Sequence, residues 1–231
     1  MKNVKLISIV VFILLATYTH AQDKTSDYLN KRWKEVANRM PSEWYDTNEA
    51  KLVAENVLLC QKDIGGWEKN KPFHHILSDA EKLAYRNAKS KAGGTFDNDA
   101  TITELSFLAK VYAHIRDERY KQAFENGLNY IFIAQYKNGG WPQYFPVKDS
   151  SDEVLLDKTQ PYSMHITYND DAMVNTMQFL KDIFSDNKEF ASLQINDETK
   201  AKAKLSFDKG VECMLNTQII VDGKPTVWWA Q

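Results

Sequence analysis

The sequence predicts an all-α protein built from a repeated helical hairpin, and three observations carry that prediction. Apolar residues recur at intervals of three and four through most of the chain, as on helices with one buried face. Strand signals are scarce, limited to "QIIV" ahead of Asp222-Gly223. Two motifs each occur twice and in the same order: "LLCQKDIGGWEKN" (58–70) answers to "FIAQYKNGGWPQYF" (132–145), and "TFDNDATITEL" (95–105) answers to "ITYNDDAMVNTM" (166–177). One hairpin cannot bury its apolar face alone, so a recurring one is expected to stack or close into a ring that gathers its like-numbered loops at one end.

The elements follow in chain order. "MKNVKLISIVVFILLATYTHAQ" has Lys2 and Lys5, an apolar run from Leu6 to Ala16 and a polar end at Thr19-His20-Ala21, which reads as a secretory signal peptide over 1–21, too short in its apolar part for a membrane span. The rest, 22–231, reads as one domain, exported to the periplasm or secreted. Ala50, Val53, Val57 and Cys60 mark a helix between Asp46 and Cys60. Ile102, Leu105, Leu108, Val111, Tyr112 and Ile115 mark a second, and Tyr120, Phe124, Leu128, Ile131 and Ala134 a third. Met173, Met177, Leu180 and Phe184 give a fourth face, and a fifth helix is expected from Glu198 to Asn216. A looser third copy of the glycine-tryptophan motif, "NTQIIVDGKPTVWWAQ", brings Gln218, Gly223 and Trp228. Cys60 and Cys213 both sit in apolar helical patterns, where buried free thiols are common, and are read as unpaired.

Composition narrows the function. Of 231 residues 43% are hydrophobic and 26% charged, enough to bury one sizeable core. A net charge of −2, with few arginines among 29 basic residues, argues against nucleic acid, which wants a basic stripe. There is no zinc spacing, phosphate loop or nucleophile elbow.

The acidic motifs carry the chemistry. Asp97, Asn98 and Asp99 crowd together with no basic residue within several positions, and Asn169, Asp170 and Asp171 repeat the pattern. One such residue would cap a helix, a contribution of about 0.5–2 kcal/mol. Two triplets mixing carboxylates and amides exceed that need and match the hard oxygen ligands of Ca²⁺, although neither has the spacing of an EF-hand loop. Trp67, Trp141, Tyr144, Phe145, Trp228 and Trp229 concentrate in the connections. They either plug the ring from above or present faces on which sugars stack. Lys69 and Asn70 follow Trp67 and would suit a ligand bearing carboxylates; His165 precedes the second acidic motif, and His74 and His75 read as surface-loop residues.

At these motifs the sequence resembles the family 10 polysaccharide lyases, pectate lyases of the pectic acid lyase type. The resemblance runs from about Asn48 to Gln231 through "QKDIGGWEKN", the long stretch from "TFDNDATITEL" to "NGGWPQYFP", "HITYNDDAMVNTM" and "VDGKPTVWWAQ". It implies an (α/α) toroid that cleaves polygalacturonate by β-elimination, with Ca²⁺ bridging substrate and protein; a monomer is expected. Asp97, Asn98 and Asp170 match the positions that hold the ion, with Asp171 beside them where the family often has asparagine. Trp67, Lys69, Asn70, Trp141, Tyr144, His165 and Trp228 are the expected substrate contacts. The resemblance places the base, an arginine, after the segment matching "TVWWAQ". No catalytic residue is therefore expected within this chain, which is expected to be a toroid incomplete at its C-terminus and weak or inactive alone. Two other readings stay open: a non-catalytic pectin-binding protein, and an inverting glycoside hydrolase on the same ring.

Overall fold

The computed structural model describes residues 26–146, 155–157 and 160–229; the expected signal peptide lies outside them. The architecture is all-α, of the (α/α) toroid class. Its helices are α1 (Trp33–Arg39), α2 (Asn48–Cys60), α3 (Asp79–Ala88), α4 (Ile102–His114), α5 (Glu118–Ala134), α6 (Ala172–Phe184) and α7 (Asp197–Asn216). Short two-stranded pairings join Leu155–Asp157 to Gln160–Pro161 and Ile220–Val221 to Lys224–Pro225, the latter where "QIIV" predicted a strand. Helix α4 packs on α5, and α6 on α7; α2 closes against α3, α4 and α5, and α1 lies on α4. Among the described residues no helix is long and apolar enough to cross a membrane.

Local chemistry sets the helix ends. Thr47 caps α2 by accepting from Ala50 N at 3.2 Å, Asp117 caps α5 from Arg119 N at 2.9 Å, and Asn196 caps α7 from Thr199 N at 2.8 Å. Helix α3 was not visible in the apolar spacing because it buries none of its side chains; Ser78 and Glu81 start it by exchanging hydrogen bonds. At the other end, α2 and α5 both stop at a glutamine. The Gln61 amide donates to the carbonyls of Gly65 and Ala123, both at 2.8 Å. Gln135 repeats this with Gly139 at 2.9 Å and Ser206 at 2.8 Å. Each glutamine thus ties its own loop to a later helix. Gly65 and Gly139 turn at φ +108° and +92°, where a β-carbon would also strike the carbonyls of Asn126 and Lys209.

The tryptophans follow the glycines inward. Trp67 is 0% exposed and Trp141 1%. Their indole N–H groups donate to the carbonyls ten residues upstream, Val57 at 2.8 Å and Ile131 at 2.9 Å. A β-carbon at Gly127 would come within 2.9 Å of Trp67, and one at Gly210 within 3.1 Å of Trp141, so each indole fits a glycine gap on a later helix, α5 or α7. This corrects the expectation that Trp67 and Trp141 offer stacking faces: they plug the core. Cys60 and Cys213 are buried and unpaired, as expected.

Burial on this scale makes a stability prediction. Trp67→Ala should lower the unfolding free energy by about 3–5 kcal/mol in urea titrations. Trp229→Ala, at a ring 72% exposed, should change it by less than about 0.5 kcal/mol. Equal effects would contradict the plug.

Candidate functional site

The two acidic motifs form the same backbone turn. In the first, Phe96 is near-helical and Asn98 and Asp99 are left-handed, at φ +54° and +59°. In the second, Tyr168 is near-helical and Asp170 and Asp171 have φ +50° and +56°. Side chains other than Asn and Asp are disfavoured in this region, so the backbone itself selects the residue types that crowd here. Asp171 stands at the N-cap of α6 without a side-chain cap bond, and the N-cap of α4 is Thr101, outside the acidic triplet. Trp67 O accepts from Thr95 N, and Thr95 Oγ1 accepts from Asp97 N, both at 3.1 Å; Trp141, Thr167 and Asn169 repeat these bonds at 3.1 and 3.2 Å. The turns pack against each other.

Their electrostatics differ. Asp97 is buried, and its Oδ2 is ion-paired with Lys69 and accepts from Gln143 Nε2 at 2.7 Å. Partial burial opposes the charge on Lys69, but Asp97 and Tyr144, whose ring lies 5.7 Å from the ammonium, outweigh it and hold its pKa above the ordinary value. Asp99 is paired with Lys34 and accepts from Asn175 Nδ2 at 2.5 Å. Asn98 is exposed and donates to Asn70 Oδ1 at 3.0 Å. Asp170 and Asp171 are also exposed, and neither has a cationic partner among the described residues; Asp170 accepts only from Asn169, at 3.1 Å. One turn is thus neutralised by lysines distant in sequence and the other keeps its charge. Among the described residues no three carboxylate, histidine or cysteine side chains already converge as a metal cage.

The remaining expected residues divide. Lys69, Asn70 and Tyr144 come to the first turn as read from the sequence. His165 does not: it lines a cavity of about 370 Å³ with Tyr136, Tyr168 and Trp229, and its buried Nε2 has no hydrogen-bond partner among the described residues. Trp228 is 40% exposed and donates to Met214 O at 2.6 Å, with no bond to either turn. His74 is buried rather than in a surface loop, stacked beside Trp33.

Sequence reading missed four contributors. Gln143 lies in the quoted "GGWPQYF" and is carried to Asp97 because the segment around it threads between repeats: Phe96 N donates to Gln143 O at 3.2 Å, Phe145 N to Gly94 O at 3.1 Å and Tyr144 N to Ser163 O at 3.3 Å. Lys34 and Asn175 are distant in sequence from Asp99. Glu104 carried a local signal, the Thr-x-x-Glu of "TITE". Its carboxylate accepts from Thr101 N and from Trp33 Nε1, both at 2.6 Å, and pins the end of the first turn, where Thr101 itself has φ +70°.

The sequence pattern of the pectic acid lyases matches residues 61–231. The chain belongs to the pectic acid lyase family. Two solved structures agree with this. A family 10 polysaccharide lyase from Cellvibrio cellulosa shares 27% identity with a TM-score of 0.66, over 90% of this chain and 54% of that one. An aspartate-to-alanine mutant of a family 10 polysaccharide lyase from the same organism, in complex with trigalacturonic acid, shares 26% with a TM-score of 0.66, over 90% and 55%. This pectic acid lyase chain therefore spans about half the length of those structures. No curated protein matches it.

Glu104 gives this pectic acid lyase family member a pH signature. Burial pushes its pKa from 4.5 up to about 7, against the hydrogen bonds of Trp33 and Thr101 that favour the anion. Between those two values the folded state holds a proton that the unfolded state has lost. The associated stability is present below 4.5 and lost as pH rises through 7. Glu104→Gln does not titrate, so it should gain on the wild type by on the order of 3 kcal/mol across that window in urea titrations. A difference that stays constant with pH would rule Glu104 out as the source.

Proposed function

We propose that the chain carries the calcium- and polyuronate-binding part of a pectate lyase that cleaves polygalacturonate by β-elimination. The observation that carries this is the paired acidic turns of a pectic acid lyase family member, of which one is neutralised and the other is not. The exposed oxygens of Asn98, Asp170 and Asp171 are the hard donors that Ca²⁺ prefers, and they leave room for a substrate carboxylate to complete the shell. Asp97 is committed to Lys69 and Gln143, so its part is to fix the turn and to present whichever oxygen remains. Bound there, Ca²⁺ would stabilise the negative charge that accumulates beside the substrate carboxylate when the C5 proton is withdrawn. Lys69, Asn70 and Tyr144 would orient the sugar carrying that carboxylate.

The base is a separate matter. Among the described residues no arginine is hydrogen-bonded to either turn: Arg119 is held by Glu55 and Asp117, Arg116 by Ser192 O and Arg32 by Glu35. A guanidinium held by carboxylates stays protonated and makes a poor base. We therefore expect the 231-residue chain alone to bind polygalacturonate and to cleave it weakly or not at all. Its export follows from the leader peptide read at 1–21.

Calorimetry with oligogalacturonate tests this. Binding should need Ca²⁺ and disappear on chelation, and Asp170→Ala should weaken it at least about tenfold, near 1.4 kcal/mol. Any cleavage should produce the ultraviolet absorbance of a 4,5-unsaturated uronide. New reducing ends without that absorbance would point to a hydrolase instead, and binding indifferent to chelator would remove the ion.

A further inference from the structure

A cavity of about 440 Å³ lies where residues 31–34 close over the loop 68–75, beside the first acidic turn. Asn70, Asn98 and Asp99 belong to its wall as well as to the candidate site, so the two are continuous. Its volume falls in the range of roughly 300–1,000 Å³ typical of small-ligand sites. The wall is held firmly. Trp33 is fastened to Glu104 through its indole N–H, meets Phe73 and Phe107 edge-on and lies parallel to His74.

Lys31, Arg32, Lys34 and Lys71 line the cavity together with Glu68, Asp99 and Glu104; Lys31 is held by Asp27 and Lys34 by Asp99. Burial, with His75 alongside, pushes His74 down to about 4, so that ring adds no charge near neutrality. Glu68 is shared by two ammonium groups, Lys62 at 2.6 Å and Lys71 at 3.1 Å, which leaves one cation uncompensated. Arg32 is 83% exposed and touches Glu35 at 3.1 Å, a surface pair that water holds only weakly. Arg32 and Lys71 are therefore free to turn toward an incoming anion, and the Arg32 fork suits a carboxylate.

We propose that this cavity is an additional subsite for one carboxylated sugar unit of a polyuronate whose neighbouring units lie over the acidic turns, with Arg32 and Lys71 receiving its carboxylate. It rests on the polyuronate reading above and extends it. Residues 31–34 lie outside the stretch that matches the family pattern.

Calorimetry on the full chain with Ca²⁺, using a trimer and a hexamer of galacturonate, tests it. The wild type should bind the hexamer about tenfold more tightly than the trimer, and Arg32→Ala with Lys71→Ala should cut that advantage below about threefold, while Lys71→Arg keeps it. Arg32→Glu, at a side chain 83% exposed, should cut it as well, with the unfolding midpoint of the variant measured alongside. An advantage that survives these variants, or that a fully methyl-esterified hexamer shows equally, overturns the subsite alone. Binding of neither oligomer overturns the polyuronate reading and the subsite with it.

Discussion

Each Gly-Gly-Trp loop is locked to a later helix, and the acidic turns depend on that lock. The indole fills a gap left by a glycine on that helix, Gly127 for Trp67 and Gly210 for Trp141, and its N–H satisfies a carbonyl on the helix just finished. The same tryptophan's carbonyl accepts from Thr95 or Thr167, whose hydroxyl then accepts from the first residue of the acidic turn. A short series of bonds leads from each buried tryptophan to the backbone of the first residue of its acidic turn. Because packed interiors do not deform continuously, the turns inherit the precision of the core although they lie near the surface. The lock occurs twice with nearly the same bond lengths, so the two turns meet as related copies of one geometry.

Identical backbones then receive different electrostatics. The Asp97 side chain is 4% exposed and that of Lys69 29%, so removing either partner would strand a charge out of water, a costly outcome. The lysine is held in place, and the pair contributes little net charge. Asp99 is matched by Lys34, whose side chain stays 64% exposed. Among the described residues no cation reaches Asp170 or Asp171, so their negative charge faces a first turn whose carboxylates are paired. On the calcium reading proposed above, a cation there would meet two carboxylates that have no lysine partner among the described residues.

The legible part of the fold was the part that local periodicity encodes. The apolar spacing located α2, α4, α5 and α6 within a residue or two of their ends, because each buries one continuous stripe, and α7 was expected within a residue of its start. It missed α1, only two of whose side chains are buried, and α3, which buries none and is defined by its Ser78–Glu81 start. For the site, the residues of the turns and their neighbours Lys69, Asn70 and Tyr144 could be named, since motif repetition singles them out. The partners that decide which carboxylates stay charged could not. Lys34 and Asn175 reach Asp99 across 65 and 76 positions, and Gln143 reaches Asp97 across 46. The exposure of the tryptophans was likewise hidden, because an aromatic loop residue is buried or exposed according to what a distant helix leaves open.

The third copy of the motif demonstrates that last point. Gln218 does not clamp a following helix; its amide donates at 3.3 Å to Thr226 O within its own hairpin. Gly223 has φ +75°, yet a β-carbon there would meet nothing within 4 Å. Trp228 donates to Met214 O, fourteen positions back instead of ten, and stays 40% exposed. Among the described residues no helix lies over this loop to supply a receiving glycine. The same residue types therefore build a lock only where a later helix completes it. Burial of Trp67 and Trp141 is a property of the loop and its neighbouring helix together, and the placement of both acidic turns depends on that partnership.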